Sequence, residues 1–395
     1  DPPTPEIYPG TTSSAASDVY KRQVLRAASA AAGLTVARAG IAGADTVRPG
    51  SHGKFDPNGL PGTWAWVHGR RERSPAEWRA RFALLRGSGI EGLLVGGGDT
   101  RMLSDAAHAE GLAFHRWVWT LNRNGDSVLK QDHPDWFMVS REGRSSLEHP
   151  PYVPYYKWLC PTRAGAQAYV RTAMEAVAAE PAVDGVHLDY VRYPDVILPR
   201  GLWVKYDLVQ DRELPEYDFC YCVACRDAFR AQTGHDPSAL PDPPANEAWR
   251  RFRWDRVTNL VEELTDAVHA FGKPISAAVF ATPELARQMV RQAWNEWPLD
   301  MTFPMTYHQM YDRPVSWIGD ATRRGREVLG RDAKLYPGLY LPHLTPAELE
   351  LAIGAAEDGG ASGVSLFESD RLSADHLSVL AATVGGAPER LGVGS

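Results

Sequence analysis

Long apolar runs, excess positive charge and cysteine are all scarce in this chain. No apolar run in the body of the sequence is long enough for a membrane span, which needs about 20 residues. Lysine and arginine total 42 against 49 aspartates and glutamates, a formal net charge of -7, and the pI is near 6.0. With no basic stripe, a nucleic-acid partner has no electrostatic footing. There is no G-x-S-x-G elbow, no P-loop and no H-E-x-x-H, which removes the common esterase, NTPase and metalloprotease chemistries. Cysteine is limited to four residues.

Aromatic residues are plentiful instead, with 13 tryptophans and 15 tyrosines. Most will pack in the core, and the surplus suits a sugar site, where aromatic faces stack on the C–H faces of pyranose rings. Hydrophobic content of 44% and charged content of 23% are those of an ordinary globular protein. Residues 1–19 are rich in Pro, Ser and Thr and lack periodicity, and Ser17–Gln23 resembles translated sequencing-adapter read-through, so this stretch reads as a non-native leader. Lys21-Arg22-Gln23-Val24-Leu25-Arg26, the small-apolar run Ala27–Ala42 and Ala42-Gly43-Ala44 then resemble a twin-arginine export signal with its first arginine altered. The alternative is an alanine-rich helix of the folded domain. With the signal, the mature domain begins near Asp45 and the protein is periplasmic or secreted.

From residue 60 onward strand-like and helical segments alternate. The strands are expected at Thr63–His68, Ile90–Val95, Leu112–Thr120, Val183–Tyr190, Pro274–Phe280, Met301–Tyr307, Leu335–Leu341 and Gly363–Phe367. Ser74-Pro75-Ala76-Glu77 and Thr345-Pro346-Ala347-Glu348 are capping boxes that open helices. Eight strands alternating with helices over roughly 320 residues predict a (β/α)8 TIM barrel over residues 60–385. Long insertions follow strand 3 (124–157) and strand 4 (195–243), and 386–395 is a tail. A doubly wound sheet is disfavoured, because strand 1 ends in Val67-His68-Gly69-Arg70-Arg71 and not in a phosphate-binding turn.

Cys220, Cys222 and Cys225 form C-x-C-x-x-C, and Cys160 lies about sixty residues earlier. Four thiolates are the count of a structural, tetrahedral zinc site with no open position for catalysis. Such a site would clip the two insertions together. Two disulfides and free thiols are the competing readings. Cys220, Cys222 and Cys225 are too close in sequence to pair comfortably with one another.

Cys160-Pro161 followed by a helix, and Cys220-Tyr221-Cys222-x-x-Cys225-Arg226-x-x-Phe229, resemble the zinc-cysteine cluster of glycoside hydrolase family 42 β-galactosidases. The barrel as a whole resembles the "family 10 glycosyl hydrolase-like" barrels. The matching pieces are Trp158-Leu159-x-Pro161, Asp184–Pro194, Trp294-x-x-Trp297 and Asp300-x-x-x-Pro304-Met305-x-Tyr307, within about residues 60–382. The resemblance implies a sugar-cleaving barrel. It does not extend to the Asn-Glu pair of family 42 on strand 4, where this chain has Leu188-Asp189. It also departs from the D-G-x-D-x-D-x-E pattern of family 18 chitinases, since Val191 stands at the last acidic place.

Glycoside cleavage calls for two carboxyl groups flanking the bond, one protonated and one ionised. Asp189, at the end of strand 4, is the first candidate, expected as the ionised carboxylate; a salt bridge to Arg192 or Arg116 is its structural alternative. Glu368, after strand 8, is expected as the proton donor, although period-2 alternation with Val364 and Leu366 argues that it points toward the helices. Asp370 is a reserve. The predicted substrate-binding set is Trp66, His68, His115, Trp117, His187, Arg192, Tyr307, His308 and Tyr340, all near strand ends. The leading expectation is an exported glycoside hydrolase acting on an oligo- or polysaccharide. The alternatives are a non-catalytic glycan-binding barrel and a metal-dependent hydrolase of another bond.

Overall fold

The computed structural model of the chain describes residues 60–69 and 72–384. The leader and export signal expected within 1–45 and the tail 386–395 lie outside the described residues. Nine strands form one parallel sheet: β1 (Thr63–His68), β2 (Gly92–Gly96), β3 (Ala113–Trp119), β4 (Gly185–Asp189), β5 (Ile275–Phe280), β6 (Met301–Met305), β7 (Lys334–Leu335), β8 (Gly338–Tyr340) and β9 (Val364–Phe367). Their order is β7-β6-β5-β4-β3-β2-β1-β9-β8. The two ends of that order, β7 and β8, are separated in the chain only by Tyr336 and Pro337, so the sheet curls round on itself as an α/β barrel.

The seventh expected strand is thereby corrected. It is not one strand over Leu335–Leu341 but two pieces: Lys334 and Leu335 pair with β6, and Gly338–Tyr340 pair with β9. Pro337 explains the division, because it has no N–H for a ladder and a fixed φ. Its carbonyl still accepts the Ser365 N–H at 3.0 Å.

The helices are α1 (Pro75–Gly87), α2 (Thr100–Ala109), α3 (Ser127–Asp132), α4 (Ala164–Ala178), α5 (Val223–Thr233), α6 (Glu247–His269), α7 (Pro283–Val290), α8 (Trp317–Leu329), α9 (Pro346–Asp358) and α10 (Ala374–Thr383). Both predicted capping boxes are formed, with Ser74 and Glu77 opening α1 and Thr345 and Glu348 opening α9. Each satisfies amide donors that a helix start leaves open.

Alternation along the strands divides the apolar residues into two cores. Ala65, Val67, Leu93, Val95 and Leu366 face outward and pack with Phe82, Leu85, Leu103 and Ile353 of the surrounding helices. Trp64, Trp66 and Trp117 face inward. Rings fill the barrel in levels. Trp64 meets His115 and Phe303 at centroid separations of 4.7 and 5.6 Å, and Trp66 meets His187, Trp117 and Phe367 at 4.6, 5.0 and 5.6 Å. Such bulk fits because neighbouring inward positions are glycine. A Cβ at Gly185 would collide with the His115 imidazole, and one at Gly96 with the Trp117 indole. Truncating one of these buried tryptophans to alanine would cost about 3–5 kcal/mol.

The two insertions lie on each other. Ser140 bridges Phe219, the Tyr221 N–H donates to the Val139 carbonyl at 2.8 Å, and the Arg141 N–H donates to the Asp218 carbonyl at 2.8 Å. Asp218, fully buried, pairs with Arg253 of α6 at 2.5 Å. Together these contacts anchor the walls above the C-terminal ends of the strands.

Candidate active site

β4 reads Gly-Val-His-Leu-Asp and places Gly185, His187 and Asp189 on its inner side. Asp189 is the uppermost and is 4% exposed. Its Oδ2 accepts the Trp117 Nε1–H at 3.0 Å, and its Oδ1 accepts the Tyr190 backbone N–H at 2.7 Å. Tyr190 has φ +52°, a left-handed turn rare for an aromatic residue. Burial pushes the Asp189 carboxyl up to about 6, against the opposing pull of those two donors and of the Arg192 charge. Desolvation wins because two neutral donors do not replace the hydration of a carboxylate.

Glu368 follows the last residue of β9. Its Oε1 lies 3.9 Å from His68 Nε2, with both side chains mostly buried. The expectation that it points toward the helices is corrected: the strand ends at Phe367, so ladder alternation no longer governs Glu368. Phe367 itself faces inward, 6.3 Å from Trp117, and the His68 and Trp117 rings are 4.9 Å apart. Asp189, Trp117, His68 and Glu368 therefore form one connected group across the strand ends. Tyr307 and Tyr340 flank it, at 5.8 and 6.0 Å from Phe367, and 5.3 Å from each other. The field of Glu368 adds to burial in raising the Tyr340 hydroxyl.

The other predicted residues are distributed by depth. His115 lies in the lowest level of the barrel, wedged between Trp64 and Gly185, and burial lowers it to about 4. His187 lies one level below Asp189; its Nδ1 is 2.8 Å from Ser276 Oγ and burial holds it well below its ordinary value. Both are neutral interior rings beneath the rim, which corrects their placement in a substrate-facing set. Trp66 packs edge-on to His187 and Trp117 and supports the rim from below. His308 is buried in the turn after β6, lowered by burial and by His343. Asp370 is engaged by Arg73 at 3.1 Å.

Arg192, one of the two alternative salt-bridge partners for Asp189, acts on it through its charge. It pairs with Asp195 at 3.1 Å, donates to the Tyr193 carbonyl at 2.9 Å, and lies over the rings of Trp158, Tyr190 and Phe280 at 5.0–5.3 Å. Beside it is a tyrosine-lined pocket, of which sequence reasoning found Arg192 and Tyr307 and missed the rest. It is built from Tyr155, Tyr156, Tyr206 and Tyr307 with the Arg192–Asp195 pair. For the missed residues the signal was the clustering of aromatic residues at the end of the first insertion.

Cys160, Cys220, Cys222 and Cys225 are all buried, with sulfurs within 4.8 Å of one another. The Cys160 sulfur is 3.4 Å from that of Cys225 and 3.6 Å from that of Cys222. A disulfide needs about 2.05 Å; four sulfurs about 2.3 Å from a central zinc would stand about 3.8 Å apart. Cys222 is the N-cap of α5. Sulfhydryl bonds from the other three hold it far below the ordinary thiol value. The Val139 N–H donates to Cys220 Sγ and the Thr162 N–H to Cys160 Sγ, both at 3.4 Å. The four cysteines thus form a buried cluster able to hold a metal, with backbone donors already facing the sulfurs.

No protein-family profile matches the chain, and no curated protein matches it. Solved structures do. The glycoside hydrolase domain of PgaB (BpsB) from Bordetella bronchiseptica aligns with a TM-score of 0.59 and 12% identity, over 82% of this chain and 98% of that one. The catalytic domain of β-amylase from Paenibacillus polymyxa gives 0.56 and 11%, over 80% and 94%. Alpha-L-fucosidase isoenzyme 2 from Paenibacillus thiaminolyticus gives 0.53 and 14%, over 82% of this chain and 49% of that one. The chain therefore has an α/β-barrel fold shared with glycoside hydrolases. Among the described residues no helix is long and apolar enough to cross a membrane.

Proposed function

We propose that this protein is a glycoside hydrolase whose carboxyl pair is Asp189 and Glu368, acting on an oligo- or polysaccharide. The observation that carries the reading is Asp189: a buried carboxyl raised to about 6 at the C-terminal end of a barrel strand, where such barrels keep their chemistry. Its raised value reverses the roles expected from sequence. Asp189 is the proton donor, because a desolvated carboxyl keeps its proton to higher pH than an ordinary one, here up to about 6. Glu368, beside His68, supplies the ionised carboxylate.

In this mechanism Asp189 passes its proton to the glycosidic oxygen as that bond to the anomeric carbon breaks. Glu368 provides negative charge to the oxocarbenium-like transition state. Water adds to the anomeric carbon and its proton restores Asp189. Trp117 fixes one Asp189 oxygen, and Tyr307, Tyr340 and His308 are rim groups for sugar hydroxyls and ring faces. Cys160, Cys220, Cys222 and Cys225 would hold a structural zinc, which would tie the second insertion to the chain just after the first and supply no chemistry, since four thiolates would leave no open position. The chain is exported, a reading that rests on the signal-like pattern of residues 21–44.

The test is a panel of aryl glycosides and oligosaccharides with wild type, Asp189→Asn and Glu368→Gln. Cleavage by wild type, lost in both variants while glycan binding persists, supports the reading. Binding with no cleavage by wild type makes the protein a glycan-binding barrel instead. One zinc per chain by elemental analysis, lost in Cys160→Ser, tests the metal.

A further inference from the structure

We propose that the tyrosine-lined pocket is a subsite for an uncharged sugar ring, covered by the segment 198–206 as a movable roof. The proposal rests on the glycoside hydrolase reading and adds to it a substrate class and a gate. Tyr155, Tyr156, Tyr206 and Tyr307 line the pocket, and tyrosine joins an apolar ring to a polar hydroxyl, the combination that suits a ring apolar above and below and polar at its rim. Tyr307 also packs against Phe367 and Tyr340, so the pocket adjoins the Glu368 side of the rim.

Charge decides the kind of sugar. Among the described residues the only charged groups lining the pocket are Arg192 and Asp195, and they pair with each other at 3.1 Å. The pair is neutral overall. It leaves no net positive charge for a carboxylate-bearing sugar. A uronic acid here would bury its charge against balanced groups, a costly arrangement.

The roof follows from space. The pocket as it stands has about 40 Å³, room for about one water, so a ring enters only if a wall moves. Leu198, Pro199, Leu202 and Tyr206 of the segment 198–206 line the pocket. The segment contains two short 3-10 turns, closed by Leu202 N–H to Pro199, Trp203 N–H to Arg200 and Tyr206 N–H to Trp203, and its ends are tied by Leu198 N–H to Gln210 Oε1 at 2.8 Å and Leu208 N–H to Trp203 at 3.0 Å. Its outer side is solvated, with Val204 92% exposed. It docks on the barrel through Gly201, whose backbone is pressed against the Gln309 carbonyl so closely that a Cβ would collide with it. Gly201 thus seats the middle of the roof, with Arg200 paired to Asp312 at 3.8 Å and Tyr206 against Tyr152 at 5.7 Å beside it.

Calorimetry on the Asp189→Asn background, using oligosaccharides of glucose, galactose and N-acetylglucosamine and an oligogalacturonate, reads the subsite. Binding of a neutral oligomer, weakened about tenfold by Tyr206→Ala and by Tyr155→Ala outside the roof segment, is the expected result. Circular dichroism checks that each variant is folded. Gly201→Ala, which unseats the roof, should speed association several-fold in stopped-flow fluorescence. Oligogalacturonate binding as tightly as the neutral oligomers overturns the proposal. So do unchanged affinity in both tyrosine variants or an unchanged association rate in Gly201→Ala, even if wild type cleaves sugars. Wild type that neither binds nor cleaves any oligomer overturns the glycosidase reading along with it.

Discussion

Strand β4 is bracketed by two aspartates, and they do opposite things. Asp184, just before the strand on the lower face, is 42% exposed at its side chain; its Oδ2 accepts the Phe114 N–H at 2.7 Å and lies 2.8 Å from His108 Nε2. Asp300, before β6, repeats the arrangement: its Oδ2 accepts the Ile275 N–H at 2.7 Å and lies 2.9 Å from His269 Nε2. These acids tie a strand start to its neighbour and to the end of a helix. Asp189, at the other end of β4, has no imidazole partner among its hydrogen bonds and is nearly inaccessible. The same side chain is a brace where water and a base stabilise its charge. It becomes a store for a proton where burial opposes that charge.

The largest test of this contrast is activity. Asp189→Asn should lower kcat/KM by about 10²–10⁴-fold, the usual contribution of a general acid. Asp184→Asn should leave kcat/KM unchanged. Equal losses in steady-state assays of the two variants would erase the distinction. The wild-type pH profile should carry the same signature. Asp189 must be protonated to act, so kcat/KM should fall as pH rises through about 6.

Next in size is the cysteine clip, which secures the upper face alone. Cys160→Ser, or chelation, should cost about 2–5 kcal/mol by analogy with the loss of other covalent staples. Denaturant unfolding with and without chelator measures it, and an unchanged midpoint would show that the cluster carries no metal-linked stability.

Stability then separates the two aspartates with opposite sign. An unfolded aspartate titrates near 3.9 and folded Asp189 near 6. The cost of its charge therefore develops as pH rises from about 4 to about 6 and persists above. Asp189→Asn, still an oxygen acceptor for Trp117 and Tyr190, should raise stability at pH 7–8 by up to about 3 kcal/mol, at about 1.4 kcal/mol per unit, and change it little at pH 4. Asp184→Asn should destabilise at neutral pH by about 1 kcal/mol. Thermal unfolding at both pH values decides.

The smallest effect is at His269. Its bond to Asp300 raises its pKa, so its contribution is full below about 6.5 and is lost as pH rises through the folded value. His269→Ala should cost a few tenths of a kcal/mol at pH 5.5, given its 43% side-chain exposure, and less at pH 9. Melting curves at the two pH values check the direction.

Much of this contrast was legible in the chain. β1 falls on Thr63–His68 as the apolar run predicts; His115, His187 and Asp189 all face inward in the structure, the last two sharing one side of β4 as strand alternation requires. Depth was not legible. His115 pairs with Gly185 and Trp117 with His187, and only that inter-strand register shows that two of the three inward residues lie beneath the rim. The direction of Glu368 failed for a related reason: a ladder rule cannot be extended past the residue where the ladder stops.

The barrel, its order of elements and the clustering of four cysteines were determined by local information, since period, turn chemistry and spacing are written residue by residue. Which carboxyl holds a proton, and which tyrosines share a pocket with Arg192 and Asp195, was decided by tertiary structure. Desolvation and charge balance depend on what distant segments bring to a point in space, and no single stretch of chain contains that.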